Sequence, residues 1–235
     1  MGKIVIAIDG YSGCGKSSTA KAVAKDLGFT YIDSGAMYRA ATLHFLNNYL
    51  SAANPHDVEK GLKTLEISFH LNPETNKQET YLNGLNVEDE IRTMRVSEYV
   101  SQIATIKEIR KELVAQQQRL GRKKGVVMDG RDIGSVVFPD AELKVFMTAD
   151  LETRAIRRQQ ELLEKGDLVE LEQIKSNLAE RDRIDSSRAE SPLKKVPDAV
   201  EIDTSNLTFE GQVAMIVQLA KEVIEKEKAY AGNHR

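Results

Sequence analysis

Of the 235 residues, one is cysteine and none is tryptophan. The lone Cys14 cannot close an intramolecular disulfide, so the chain is expected to fold without such staples, in a reducing cytoplasm. Histidine is scarce: His44, His56, His70 and His234 are scattered. None stands at ligand spacing from another histidine or from the cysteine, which argues against a histidine-based metal site. Long apolar runs are also missing. The stretch Ile4-Val5-Ile6-Ala7-Ile8 falls far short of the roughly 20 residues that span a bilayer. Asp9 and a glycine-rich loop follow it, where a signal-peptide cleavage site would stand, so neither membrane span nor secretory signal is expected. Nor does one sign of charge dominate. With 33 Lys+Arg against 36 Asp+Glu the net charge is −3, whereas a protein that coats nucleic acid is usually strongly basic.

What is present fits a soluble globular protein, with 41% hydrophobic and 29% charged residues. At about 150 residues per domain, the length implies one domain with an insertion, or two small ones. There is no internal repeat and no low-complexity linker. Residues 3–9 are apolar and β-branched and predict a buried strand. Residues 17–27 place Ala20, Val23, Ala24 and Leu27 on one helical face before Gly28. A short strand at Tyr31-Ile32 leads to a helix from about Ala36 to Leu50, with Asp33 and Ser34 able to cap it. After Pro55 the pattern changes. Residues 65–71 and 79–82 are strand-like, and Asn83-Gly84 stands in hairpin-turn position before residues 85–87. Helical patterns follow over 93–104 and 108–120. Strands are predicted at 126–129, 143–147 and 199–203, with helices over 150–165, 171–184 and 209–228. Strands alternating with helices predict a parallel sheet covered on both faces, with the hairpin region inserted between its second and third strands.

Gly10-Tyr11-Ser12-Gly13-Cys14-Gly15-Lys16-Ser17 matches the phosphate-loop pattern G-x-x-x-x-G-K-[ST] between a strand and a helix. Glycines let successive backbone amides converge on phosphate oxygens, and the following helix adds its positive end. Lys16 is expected to bridge the β- and γ-phosphates and Ser17 to hold Mg²⁺; Ser18 completes the ATP-contacting run. Such a loop serves a switch GTPase, a motor or a small-molecule kinase. A guanine-specific motif would be N-K-x-D, and Asn76-Lys77-Gln78-Glu79 ends in the wrong residue. The kinase reading gains from polar residues at two strand ends, Asp33 to Arg39 and Asp129-Gly130-Arg131-Asp132, because ligands of open α/β sheets sit outside the carboxyl ends of strands. Arg181, Asp185 and Arg188, spaced i, i+4, i+7, would share one helical face if the helix continues that far. They read either as a salt-bridge ladder or as a phosphate clamp with Asp185 left for a ribose hydroxyl. Arg154, Arg157 and Arg158 are either a solvated face or a second cationic set, with Arg157 the candidate ATP contact. Cys14 reads as a small loop-filling residue or a redox-sensitive thiol.

The segments GYSGCGKSS, DSGAMYR, VEDEIRT, SEYVSQIA, DGRDIGSVVFPDA and ERDRIDSSR, spread between Lys3 and about Asp203, resemble the bacterial cytidylate kinases of the nucleoside monophosphate kinase family. Tyr11, where relatives usually carry proline, and Cys14, where they carry a smaller residue, depart from the pattern. The resemblance implies a P-loop kinase fold: a five-stranded parallel sheet flanked by helices, an inserted small antiparallel monophosphate-binding lobe, and a short helical lid. The expected division is core 1–62, 105–150 and 189–235; lobe 63–104; lid 151–188. It further implies that Ser101, Arg110 and Asp132 read cytosine. It implies that Arg39, Arg131, Arg181 and Arg188 hold phosphates, that Asp185 holds the ribose, and that Ser34 lies near the acceptor. Lys16, Arg131, Arg181 and Arg188 are the expected catalytic set. Asp129 counts with the CMP side, either placing Mg²⁺ through water or orienting Arg131. The base chemistry agrees independently. A carboxylate can accept from the cytosine N4 amine, donors can serve N3 and O2, and uracil would set oxygen against oxygen. The expected reaction is transfer from ATP to CMP or dCMP with Mg²⁺, by a monomer without nucleic-acid or membrane partners. A P-loop kinase for another metabolite, or a nucleotide-dependent switch with no acceptor, are the rival readings.

Overall fold

The computed structural model describes residues 2–74, 78–164 and 166–232. They form two compact units, residues 1–33 with 117–235, and residues 34–116.

The larger unit is built on a parallel sheet of β1 (Val5–Gly10), β2 (Thr30–Asp33), β6 (Val126–Gly130), β7 (Leu143–Thr148) and β8 (Val200–Asp203), in the order β2-β6-β1-β7-β8. Every residue of β1 and β6 is buried, as the unbroken apolar runs require. α1 (Lys16–Leu27) and α8 (Phe209–Gly232) pack on each other and on the sheet. Ile6, Ile8, Val23, Val145, Met147, Ile216 and Ile224 lie in the resulting core. The pairs Asp9↔Gly130, Asp33↔Asp129 and Thr148↔Asp203 bring the carboxyl ends of all five strands to one edge. At that edge Gly10, at φ +151°, runs so close to β7 that a Cβ would lie 2.0 Å from the Met147 carbonyl oxygen. α6 (Leu151–Glu164) and α7 (Leu171–Ser187) pack on each other after β7.

The smaller unit holds α2 (Ser34–Asn47), α3 (Pro55–Lys63), the antiparallel strands β3 (Ile67–Leu71), β4 (Gln78–Leu82) and β5 (Leu85–Asn86), and α4 (Met94–Ile103). α5 (Lys107–Gly121) begins within it. Met37, Leu43, Phe45, Ile91, Val96, Ile109 and Leu113 form a second core. Asn83 and Gly84 both take positive φ, 51° and 79°, the two-residue turn that the Asn-Gly pair predicts.

The inserted antiparallel strands do fall between the second and third parallel strands in chain order, and the alternation elsewhere is as the sequence predicts. Three points differ from expectation. α3 was not anticipated: Pro55, read as a change of pattern, instead opens a helix at its first turn, with Asn54 Oδ1 accepting from the His56 amide at 3.0 Å. α7 ends at Ser187, so Arg188 is extended (φ −62°, ψ 142°) and leaves the helical face that its spacing suggested. A short π-helical turn, Ile133–Val137, follows β6. Of the near match to a guanine motif, Asn76 and Lys77 lie outside the described residues, and Gln78 and Glu79 belong to β4.

Gly10→Ala is expected to destabilise the chain by at least about 3 kcal/mol, read as a lower urea midpoint in the absence of nucleotide. An unchanged midpoint would mean that β7 can retreat from the added methyl.

Candidate active site

The phosphate loop lies between β1 and α1, with Gly15 in the left-handed region (φ 86°) as it enters the helix. Lys16 is buried, and its Nζ donates to the Tyr11 carbonyl at 2.5 Å and lies 3.6 Å from Cys14 Sγ. Burial, with help from Arg131, lowers the Lys16 pKa below its usual value. Ser17 Oγ donates to Asp129 Oδ2 at 2.8 Å, and Tyr31 Oη donates to Asp129 Oδ1 at 2.9 Å. Burial, then the neighbouring Asp33 carboxylate, pushes the Asp129 pKa up to about 6. Ser17 and Asp129 therefore present a hydroxyl and a carboxylate side by side, the hard oxygen donors that Mg²⁺ prefers beside substrate phosphates and water. No cluster of three or more His, Cys, Asp or Glu able to hold a metal occurs among the described residues.

Beyond β6 the charged groups gather around Asp185. Arg131 Nε donates to Asp185 Oδ2 at 2.8 Å, and Arg188 Nη1 lies 3.6 Å from Asp185 Oδ1. Arg188 Nη2 is 3.7 Å from Asp132 Oδ1. Burial disfavours the Asp185 charge, but Arg131, Arg181 and Arg188 outweigh it and hold its pKa below the ordinary carboxylate range. Burial likewise opposes the Arg131 charge, and Asp185 more than restores it. Arg181 differs: burial and then Arg131 lower its pKa to about 10, and its Nε is buried with no hydrogen-bond partner. Arg131, Arg181 and Arg188 thus share a neighbourhood with Asp132 and Asp185, and with Asp182, which is itself paired with Arg154, leaving positive charge to meet an anion. Asp185, expected to be left for a ribose, is paired here with arginine.

The loop is also held from behind, by groups the sequence left ambiguous or missed. Arg154 Nη1 donates to the Ser12 carbonyl at 3.0 Å and to Asp182 Oδ2 at 2.6 Å. Its guanidinium lies 5.5 Å from the centre of the Tyr11 ring. Arg154 is buried rather than part of a solvated face. Arg157 donates to Thr204 at Oγ1 (3.1 Å) and at the carbonyl (2.7 Å), and the Thr204 hydroxyl reaches the Cys14 carbonyl at 3.2 Å. Cys14 is fully buried, its Sγ 3.4 Å from the Met147 carbonyl, in keeping with a loop-filling residue. Arg158 pairs with the exposed Glu161 at 3.0 Å.

Four candidate residues belong to the smaller unit. Ser34 is buried at the start of α2. Arg39 Nη1 donates to Ser97 Oγ at 2.9 Å and to the Ile91 carbonyl at 3.1 Å. Ser97 was not anticipated; it stands one turn before the buried Ser101 on α4, which put it within reach of pattern reasoning. Arg110 is buried, donates from Nη1 to the Ala104 carbonyl at 3.0 Å, and lies 5.3 Å from the centre of the Tyr38 ring. The buried Arg110, the half-buried Arg39 and the buried Ser34, Ser97 and Ser101 therefore all lie on helices of this unit.

Asp185→Asn is expected to cost about 3 kcal/mol at pH 7, because removing the carboxylate strands buried arginines. The lowered Asp185 pKa means that this stability is present above the usual carboxylate value and is lost as pH falls through the depressed one. Urea melts of the two proteins should therefore converge in strong acid; a gap that persists there would contradict the charge assignment.

Comparison with known proteins shows the family. A family model described as cytidylate kinase matches residues 6–222. A cytidylate kinase of Cytophaga hutchinsonii is 56% identical over 220 residues, covering 94% of this chain and 94% of its own. One from Bacteroides thetaiotaomicron is 50% identical, over 96% of this chain and all of its own. One from Bacteroides fragilis is 52% identical, over 90% of this chain and 94% of its own. With a phosphate loop, a family model that matches most of its length and this breadth of identity, the chain belongs to the cytidylate kinase family.

Proposed function

We propose that the protein transfers the γ-phosphoryl group of ATP to CMP and to dCMP, giving ADP with CDP or dCDP. The observation that carries this is the arginine cluster of Arg131, Arg181 and Arg188 in the same unit as the phosphate loop, with more positive charge than Asp132 and Asp185 balance. The acceptor is a phosphate monoester whose second pKa is about 6, so its attacking oxygen is already largely ionised at pH 7. No general base is required. The problem left to the protein is holding two polyanions in line against their repulsion, and fixed cations solve it.

In this reading the loop amides from Gly10 to Ser18 and the Lys16 ammonium bind the ATP phosphates, with Arg157 on the same side. Ser17 holds Mg²⁺, and Asp129, which accepts from Ser17, helps to place it. Held there by Ser17, Mg²⁺ would supply neutralisation of charge on the ATP phosphates. Arg39, Arg131, Arg181 and Arg188 hold phosphate, Asp185 serves the ribose after exchanging part of its arginine pairing, and Ser34 contacts the acceptor. Asp132 accepts from the cytosine amine while Ser101 and Arg110 donate to O2 and N3. That assignment rests on the family motifs and on the hydrogen-bond pattern of the base. Residues 63–104 act as the monophosphate-binding lobe and 151–188 as the lid. The enzyme works as a cytoplasmic monomer without nucleic-acid or membrane partners, a reading supported by its lone thiol and near-neutral charge. No helix among the described residues is long and apolar enough to cross a membrane.

A coupled ADP-release assay over CMP, dCMP, UMP, AMP and GMP tests the proposal. CMP and dCMP should be the fastest acceptors; stimulation by none of them, or best by a purine, would contradict it. Lys16→Ala should lower kcat by roughly 100-fold or more while leaving the melting temperature nearly unchanged, and undiminished turnover would remove the loop from the chemistry. Asp132→Ala should lower kcat/KM for CMP more than for UMP, and an equal loss would place base recognition elsewhere.

A further inference from the structure

Asp9 is the penultimate residue of β1, immediately before the phosphate loop, and nothing in the reaction described above uses it. It is a carboxylate at the end of an otherwise apolar buried strand, paired in register with Gly130 on one side and Phe146 on the other. Burial pushes its pKa up to about 6 even though two backbone amides pull it down, and the nearby Asp132 charge adds to the rise. A carboxylate kept at that cost calls for a purpose, since an apolar residue would serve the strand as well.

Its partners supply one. Asp9 Oδ1 accepts from the Ile133 amide and Oδ2 from the Gly134 amide, each at 2.7 Å. Those are the first two amides of the π-helical turn Ile133–Val137, whose N-terminal flanking residue is Asp132. An aspartate flanking a helical turn ordinarily folds back to accept from the second or third amide of that turn, here Gly134 or Ser135. Asp132 makes no such bond. A carboxylate 124 residues away in sequence from Ile133 has taken the amides, and Asp132 Oδ1 stands 3.7 Å from Arg188 Nη2.

We propose that Asp9 is a positioning residue for base selection: by capping the turn in place of Asp132, it keeps the Asp132 carboxylate turned out toward the pyrimidine. This rests on the reading that Asp132 meets the cytosine amine. Asp9 itself touches no substrate. In Asp9→Asn the carboxamide offers only one acceptor and sets an N–H₂ against one of the two amides. Asp132 can then swing back onto its own turn and leave the base.

The test is a double-mutant cycle on wild type, Asp9→Asn, Asp132→Ala and the double variant, with kcat/KM measured for CMP and for UMP and KM measured for ATP. Asp9→Asn should reduce the CMP-to-UMP preference by about tenfold with KM for ATP unchanged. In the Asp132→Ala background the same change should reduce the preference no further. Equal losses on CMP and UMP, or additive losses of preference, would overturn the proposal and leave Asp9 a structural residue. Should Asp132→Ala alone leave the preference intact, the cytosine reading fails and the inference falls with it. Should Asp132→Ala abolish the preference while Asp9→Asn preserves it, only the inference fails. If Asp9→Asn does not fold, amide hydrogen exchange on the wild-type chain decides. CMP at saturation should slow exchange at Ile133 and Gly134 more than UMP does, and identical protection by the two would contradict the proposal.

Discussion

A guanidinium group can be buried only if something answers its charge, and an anion-binding site works only if that answer is incomplete. Asp185 supplies this balance. It takes Arg131 directly, lies near Arg188, and its lowered pKa reports the pull of Arg181 as well. Without it the arginines would be left with too little answering charge to stay together out of water. With a carboxylate for every arginine, nothing would remain for a phosphate. Arg181, with a buried Nε that no protein atom accepts, marks where the balance is left short. A buried ion pair is seldom a source of stability in itself; in the proposed function its role is to hold a positive field ready before substrate arrives.

The parallel sheet makes this arrangement possible. Its register delivers Gly10, Asp33, Asp129 and Gly130 to one edge, so the phosphate loop, the Ser17–Asp129 pair and the turn holding Arg131 and Asp132 all begin from rigid strand ends. Each irregular segment there is fastened by a partner distant in sequence. Asp9 caps the turn after β6, Arg154 and Asp182 grip the loop at Ser12, and Thr204 reaches the loop carbonyl at Cys14. Backbone that must approach a ligand closely cannot satisfy itself locally, so it borrows polar groups from elsewhere.

That borrowing also explains what was legible in the sequence. The alternation of strands and helices, the Asn83-Gly84 hairpin and the phosphate loop are local patterns, and local patterns carry their own physics. Helix α3 escaped because Pro55 is ambiguous from sequence alone: the same ring that breaks a helix interior also starts a first turn. Spacing puts Arg188 on a helical face only if the helix continues that far; it ends at Ser187, and Arg188 reaches Asp185 from extended backbone. Arg154 and Asp182, with ordinary helical spacing on separate helices, gave no sign that they meet. Asp9 did leave a trace, as a charge ending a strand of solid aliphatics, but its partners lie more than 120 residues away.

In the proposed function, fixed and under-neutralised arginine charge recognises a nucleoside monophosphate by its phosphate. Calorimetric titration of the wild-type chain with CMP and with cytidine, at low and moderate salt, is the decisive check. Loss of the phosphate should weaken binding by about 100-fold or more, and added salt should weaken CMP binding while leaving cytidine nearly unaffected. Cytidine binding as tightly as CMP, with no dependence on salt, would contradict the account.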